Sequence, residues 1–126
     1  MSNTKGEYEI KAKGVINMTV EHFSEMTGFT AIILPDKSRE VQGAYVGDLL
    51  SWVMGRAKSD NAWITIMSNL NVIAVATLTD VSCVIFAEGV VPDKELIDVA
   101  ESKGVNLLKT EMSSYDTAVT VSRLLS

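Results

Sequence analysis

The sequence predicts an α/β fold in which a mainly parallel sheet is covered by helices on both faces. Three short apolar runs, at residues 63–67, 83–87 and 105–108, recur about 20 residues apart. Each run is followed by a stretch that is compatible with a helix. Short apolar strands that alternate with helices are typical of parallel sheets joined by right-handed crossovers. We therefore predict a three-layer sandwich whose C-terminal two-thirds is a βαβαβα unit with three parallel strands.

The predicted helices of this unit lie at residues 72–80, 92–103 and 114–125. The second has the clearest pattern, because its apolar residues share one face and charged residues cover the other. Gly104 follows it and supplies a C-terminal stop. The sequence thus gives each crossover a helix of suitable length.

A short helix and a hairpin are predicted to precede this unit. Thr19 can cap a helix near residues 20–27, and Gly28 is placed to end it. Two β-prone stretches, 29–34 and 39–45, flank a turn-forming sequence that begins at Pro35. We interpret these two stretches as a hairpin or a strand pair.

A further helix is predicted over residues 48–58, with Asp48 as its cap. Its apolar stripe consists of Leu49, Leu50, Val53, Met54 and Ala57. Trp52 lies beside this stripe and is large enough to leave surface exposed. Core packing and a homodimer contact are equally compatible with this position, since aromatic residues are enriched in interface cores.

Residues 1–16 are predicted to form an N-terminal extension to a single domain at 17–126. Charged residues at positions 5, 7, 9, 11 and 13 alternate with Gly6, Tyr8, Ile10 and Ala12. This period of two favours an added edge strand, while the polar composition favours a loose extension. The sequence leaves both alternatives open.

Composition narrows the classes of function. An apolar share of 47% with 21% charged residues is that of an ordinary globular protein, and no run is long enough to span a bilayer. Because the N-terminus also lacks a hydrophobic signal stretch, we expect a cytoplasmic protein without membrane association. A net charge of −5 works against nucleic-acid binding. With one cysteine, Cys83, and one histidine, His22, we expect no metal site and no cofactor.

The candidate ligand site lies in the loops that follow the three apolar strands. In open parallel sheets, ligands bind beyond the carboxyl ends of the strands, where helix N-termini offer free backbone amides. An anionic or hydroxyl-rich ligand suits such a site. Asn71, and either Ser113 or Ser114, can cap the helices that follow, and plain helix capping explains each of these residues taken alone. The candidate ligand-binding residues are Ser68, Asn69, Asn71, Glu88, Gly89, Thr110, Ser113, Ser114 and Asp116.

Catalysis has little support in the sequence. The chain contains neither GxxxxGK[ST] nor GxGxxG, so machinery for phosphoryl transfer is not visible. Asp48, Glu88, Glu111 and Asp116 offer carboxylates, but carboxylates at helix starts usually serve the helix dipole. Cys83 opens an apolar strand and is expected to be a small buried hydrophobe. We therefore expect no catalytic residues and no enzyme activity.

Three segments resemble DRTGG-domain proteins. The sequence Gly43-Ala44-Tyr45-Val46-Gly47-Asp48-Leu49-Leu50-Ser51-Trp52-Val53-Met54 is similar to the "YVSDLLSDVM" stretch of stand-alone members. Residues 63–76 resemble the "WIT…N(I/V)xAVA" segment, and residues 92–116 resemble the "P…A…G(I/V)xxLxT" ending. The name-giving motif departs from the family pattern, since Ser68-Asn69 stands in place of Asp-Arg and Ala87-Glu88-Gly89 in place of Thr-Gly-Gly.

The resemblance implies a regulatory or assembly role. Domains of this type occur beside CBS domains and in some phosphotransacetylases, and they are grouped with the N-terminal domain of HPr kinases, always as the part that does not carry the chemistry. Our first hypothesis is a dimeric module that senses a small anionic or nucleotide-like ligand and acts through a partner protein. The alternative is a purely structural interaction or dimerisation domain whose crevice is filled by its own side chains.

Overall fold

The computed structural model describes residues 18–126, so the expectations for residues 1–16 lie outside the described residues. Within this range the helices and strands alternate through most of the chain. Their bounds are α1 Val20–Thr27, β1 Thr30–Ile33, β2 Ala44–Val46, α2 Leu50–Arg56, β3 Ala62–Thr65, α3 Asn71–Thr79, β4 Cys83–Phe86, α4 Lys94–Lys103, β5 Leu107–Lys109 and α5 Ser114–Leu125.

The strands form one five-stranded sheet in the order β1-β5-β4-β3-β2. The pairs β2–β3, β3–β4 and β4–β5 are parallel, and only β1 runs antiparallel, beside β5. The prediction of parallel pairing among the three apolar runs is therefore confirmed. No helix within residues 18–126 is long and apolar enough to cross a membrane.

The predicted hairpin is wrong, because β1 and β2 lie at opposite edges of the sheet. After β1 the chain turns and runs along the N-terminal ends of the central strands. Its turn is held by Asn106, whose side chain accepts from the Asp36 amide and donates to the Asp36 carbonyl, both at 2.9 Å. The bridge between Thr19 and Glu40 then pairs residues 39–41 with the start of α1. The two strands of the expected hairpin thus have different partners: β1 pairs with the distant β5, and β2 pairs with β3, the next strand along the chain.

Two apolar cores lie on the two faces of the sheet. Helices α2, α3 and α4 cover one face, where Trp63, Phe86 and Leu107 point from the strands. Helices α1 and α5 cover the other face, where Ile64, Ile85 and other strand residues pack against Phe23 and Val121. Every residue of β3 and β4 is buried. The three-layer architecture predicted from the sequence is therefore confirmed.

Buried polar side chains stabilise the end of the sheet where β3, β4 and β5 begin, which we call the N-terminal edge. Asn106 is 1% exposed, and its amide group also donates to the Ser82 carbonyl at 2.9 Å. Asn61 donates to the Gln42 carbonyl and accepts from the Lys58 amide, both at 2.9 Å. Buried amides of this kind stabilise a fold when all their hydrogen bonds are satisfied. These two asparagines tie the chain before β2 and the chain after β1 to the central strands.

Arg39 adds an ionic contact at the same edge. Its guanidinium lies 3.0 Å from Asp60 and 2.9 Å from Asp80, and it also donates to the Asp80 carbonyl. A hydrogen bond from Ser59, together with Arg39, holds the pKa of Asp80 below its usual value. The turn after α3 is thereby linked to the chain that leads into β2.

We predict that Asn106→Ala lowers the free energy of unfolding by about 2–3 kcal/mol, because it removes three hydrogen bonds and leaves the buried Ser82 carbonyl unpaired. The measurement is urea denaturation followed by circular dichroism. Asn71→Ala, at an exposed position, is the control and should change stability little. Equal stability of the Asn106 variant and the wild type would contradict the role assigned to this side chain.

Candidate functional site

The candidate site lies at the edge of the sheet where β2, β3, β4 and β5 end. We call this region the loop edge; it consists of residues 47–49, 66–70, 87–93 and 110–113. Because these four strands are parallel, their following loops all emerge at one edge. The structure thus places the predicted site residues on one side of the molecule, in loops or at the helix starts that follow them.

The loops after β4 and β5 are joined by hydrogen bonds. The Glu88 amide donates to the Met112 carbonyl at 2.7 Å, and the Gly89 amide donates to the Thr110 carbonyl at 3.0 Å. Glu88 and Gly89 both have positive φ, 61° and 75°. A side chain at position 89 would place its Cβ 2.9 Å from a carboxylate oxygen of Glu111. Glycine is required here because it adopts this backbone conformation without strain and permits the close approach.

The free amides at the start of α5 are bound by the protein's own side chains. Glu88 accepts from the Ser114 amide at 2.7 Å, and the Ser113 hydroxyl accepts from the Asp116 amide at 3.0 Å. Ser113 is therefore a helix cap, one of the two caps that the sequence offered at this position. Ser114 and Asp116 instead contribute their backbone amides. The positions that a phosphate oxygen would take at this helix N-terminus already hold a carboxylate and a hydroxyl.

The loop after β3 has its own local structure. Asn69 accepts from the Asn71 amide at 2.9 Å, while Asn71 is the first residue of α3 and Leu70 holds the cap position. The suggestion that Asn71 caps α3 is therefore wrong, because its side chain lies one position too late. Ser68 is half-buried beside Asn69. Within residues 18–126, no hydrogen bond joins Ser68, Asn69 or Asn71 to the residues that gather around Glu88.

Asp48 does not cap α2, contrary to the sequence prediction. Its carboxylate accepts from the Thr65 hydroxyl at 2.8 Å and from the Ile66 amide at 2.9 Å. Helix α2 begins two residues later, with Leu49 at the cap position. Asp48 thus joins the loop after β2 to the end of β3. Sequence spacing gave no signal for this contact, which links residues 17 or more positions apart.

Trp52 lies on α2 with 53% of its area exposed, so simple core packing is excluded for this ring. The Arg56 guanidinium stacks over it at 3.8 Å from the ring centroid. Two further α2-region side chains, Leu49 and Met54, are also exposed although the sequence pattern assigned them to the core stripe. Of that stripe only Val53 is fully buried. Leu49 precedes the helix, and Met54 lies on its exposed side.

Exposed apolar residues continue on the neighbouring helix α3. Leu78 is exposed on α3, and Leu70 is exposed just before its first residue. A shallow groove between α3 and α4 is lined mainly by apolar side chains, with Val99 on its far side. We call the exposed residues Trp52, Met54 and Leu78 on α2 and α3 the helical apolar surface. Of this set, the sequence pattern singled out only Trp52.

Cys83 is fully buried in β4, and this burial raises the pKa of its thiol to about 12. A thiol with such a pKa stays protonated at neutral pH and is a poor nucleophile. The interpretation of Cys83 as a small core residue is confirmed.

Comparison with known proteins agrees with this architecture. Residues 64–125, from β3 to the end of α5, match the family model described as HPr Serine kinase N terminus. The fold is similar to the crystal structure of the CBS and DRTGG domains of the regulatory region of Clostridium perfringens pyrophosphatase, complexed with its activator diadenosine tetraphosphate. The DRTGG resemblance is confirmed. No curated protein sequence matches the chain.

The structural likeness concerns the fold. The TM-score is 0.65 with 16% sequence identity, over 78% of this chain. The chain spans 43% of the length of that pyrophosphatase fragment. The DRTGG-like fold thus extends to most of this chain, while the family model covers its C-terminal half.

We predict that Gly89→Ala destabilises the protein by about 1–3 kcal/mol, because alanine is strained at positive φ. Gly55→Ala is the matched control: nothing lies near its Cβ, and α2 should gain about 0.5–1 kcal/mol from the better helix former. Thermal and urea denaturation give both values. If adding Glu111→Ala restored full stability to the Gly89 variant, the contact with Glu111 rather than the backbone would be the cause.

Proposed function

We propose that this chain is a non-catalytic regulatory domain that acts by contact with protein surfaces, first with a second copy of itself. The observation that carries the proposal is a contrast between two regions. On the loop edge, Glu88, Thr110 and Ser113 accept hydrogen bonds from nearby backbone amides, whereas Trp52, Met54 and Leu78 stand exposed on α2 and α3. The likeness to the regulatory region of a pyrophosphatase supports the regulatory part of this proposal.

The loop edge has the character of a filled, acidic crevice. Glu88, Ser113 and Thr110 each accept a hydrogen bond from a backbone amide, either in the loop after β5 or in the first turn of α5. Asp48 and Glu111 are exposed on the same loop edge, and Asp116 is exposed in the first turn of α5. These carboxylates would repel an anionic ligand, which would also have to displace the Glu88 carboxylate from the Ser114 amide. This geometry favours contact over ligand sensing as the primary function.

The helical apolar surface has the character of an interface. Exposed apolar patches with an aromatic residue mark association sites, since their burial removes apolar area from water at about 25 cal/mol per Å². Trp52 and Arg56 together are the residue types most enriched at the energetic centre of interfaces. In a two-fold dimer both copies use the same surface, so the interface buries the Trp52 ring of each copy.

We predict that Trp52→Glu weakens self-association at least about tenfold, because it removes a central aromatic contact and places charge there. The variant should fold normally, since Glu at this position can pair with Arg56 four residues later. Light scattering and sedimentation over a concentration series give the oligomeric state.

Met26→Glu is the matched control, because Met26 on α1 is 52% exposed, close to the 53% of Trp52, but lies on the other face of the sheet. It should leave association unchanged. A wild-type protein that stays monomeric at high micromolar concentration would overturn the dimer proposal, as would equal effects of the two substitutions.

Ligand sensing at the loop edge is the second candidate function. It is favoured by the consecutive positive φ values at Glu88 and Gly89, since strained backbone often marks functional loops. The similar pyrophosphatase region was solved with a dinucleotide activator. In this view a nucleotide-like ligand displaces Glu88 from the Ser114 amide, and the two loops change their mutual position.

We predict that Glu88→Ala raises the affinity for such a ligand, because a competing carboxylate is lost. Thermal shifts with diadenosine tetraphosphate, ATP and AMP test this, since a ligand that binds only the folded state raises the melting temperature. Glu95→Ala, an exposed glutamate in the first turn of α4, is the control. Flat curves for wild type and both variants would remove the second candidate and leave the first untouched. We expect no turnover of ATP in any sample.

A further inference from the structure

Helix α3 carries no charged residue, although part of it faces solvent. The uncharged stretch of the sequence extends over residues 66–79 and includes the whole helix. The exposed residues of the helix are Asn71, Ala74, Thr77 and Leu78. A helix at a protein surface normally carries charged residues on its solvent side. The exposed side of α3 therefore has the composition of a contact surface.

This exposed side contains a row of three residues spaced four apart. Leu70, at the cap position, is 40% exposed, Leu78 is 70% exposed, and Ala74 between them is also exposed. Residues four apart are neighbours on one face of a helix. We call Leu70, Ala74 and Leu78 the α3 row. Because the distance between packed helices depends on the side chains at the contact, another helix can approach most closely at the small Ala74.

A second row lies on α4, across the groove. Val99 and Lys103 line the groove, and Glu95 lies one turn before Val99, so the three residues are again spaced four apart. We call Glu95, Val99 and Lys103 the α4 row. It begins with a negative charge and ends with a positive one. Both charged residues are exposed, and neither forms an ion pair within residues 18–126.

The two rows have the same direction and the same length. Helices α3 and α4 each connect neighbouring parallel strands, so they run in the same direction. Each row spans eight residue steps, or about 12 Å at 1.5 Å per residue. Their central residues, Ala74 and Val99, line the same groove. A single two-fold axis can therefore cross both rows at their centres.

We propose that two copies of this chain pack α3 and α4 antiparallel about a two-fold axis that crosses the rows at Ala74 and Val99. Leu70 of one copy then packs on Leu78 of the other, and Glu95 of one copy pairs with Lys103 of the other. Each contact occurs twice in such a dimer. This inference rests on the proposed self-association and specifies its geometry.

The order of charges in the α4 row favours a second copy as the occupant of this surface. A row that runs from a negative through an apolar to a positive residue is complementary to itself when it is reversed. Opposite charges across an interface select the correct partner and its orientation, whereas like charges disfavour the contact. The net charge of −5 makes two copies repel each other at long range, so local pairing has to provide the complementarity.

Charge reversal, followed by sedimentation over a concentration series, tests the pairing. Glu95→Lys and Lys103→Glu each place like charges opposite one another, and each should raise the dissociation constant of the dimer at least about tenfold. An equimolar mixture of the two variants restores opposite charges at both pairs and should associate to within about threefold of the wild type. Glu101→Lys is the matched control, because this exposed glutamate lies two residues from Val99, on the other side of α4. It should leave association unchanged.

The position of the axis is tested with Ala74→Cys in the full chain. A residue on a two-fold axis meets its own copy, so oxidised glutathione should link two chains through a disulfide at this position. Leu70→Cys is the control, because residues four positions from the axis lie about 12 Å from their own copies, beyond the reach of a disulfide. Cys83 is buried and does not compete.

The results separate this geometry from self-association itself. A mixture that associates as weakly as the single variants would overturn the pairing, and a dimer that Ala74→Cys does not cross-link would overturn the position of the axis. Association that Trp52→Glu weakens but neither charge reversal changes would overturn the geometry and leave the proposed self-association intact. A wild type that stays monomeric at high micromolar concentration would overturn both.

Discussion

The fold depends on the complete burial of β3 and β4 between two helical layers. Every residue of these strands is buried, and all their apolar side chains lie in one of the two cores. Backbone groups in such strands must be paired along both edges, which fixes β2 and β5 as their neighbours. Helices α2 to α4 and helices α1 and α5 are then required to cover the two faces.

The two ends of the sheet are built differently. At the N-terminal edge, buried Asn61 and Asn106 bind backbone groups from distant segments, and Arg39 joins two turns. At the loop edge the contacts are made by exposed or half-exposed side chains such as Glu88 and Ser113. Exposed hydrogen bonds open more readily than buried ones. The sheet therefore has a rigid end at the N-terminal edge and a more adaptable end at the loop edge.

The sequence patterns predicted those features that depend on residues close together in the chain. The apolar runs of the central strands and the caps at Thr19 and Ser113 depend on neighbours within a few residues, and the structure has them as expected. The hairpin prediction was wrong because β1 pairs with β5 and its turn binds Asn106, 70 or more residues away. Asp48 and Glu88 bind groups 17 and 26 positions distant, which spacing alone does not reveal. The exposed side of α2 was missed because apolar spacing alone does not show which apolar residues of the helix face the sheet.

The two tryptophans report on different parts of the molecule. Trp63 is fully buried in β3, and its indole nitrogen donates to the Gly47 carbonyl at 2.9 Å, next to the start of α2. Trp52 lies half-exposed beneath the Arg56 guanidinium. Fluorescence from Trp63 should therefore respond to loss of the core, and fluorescence from Trp52 to events at the surface. The chain carries, in its natural sequence, separate optical probes for unfolding and for association.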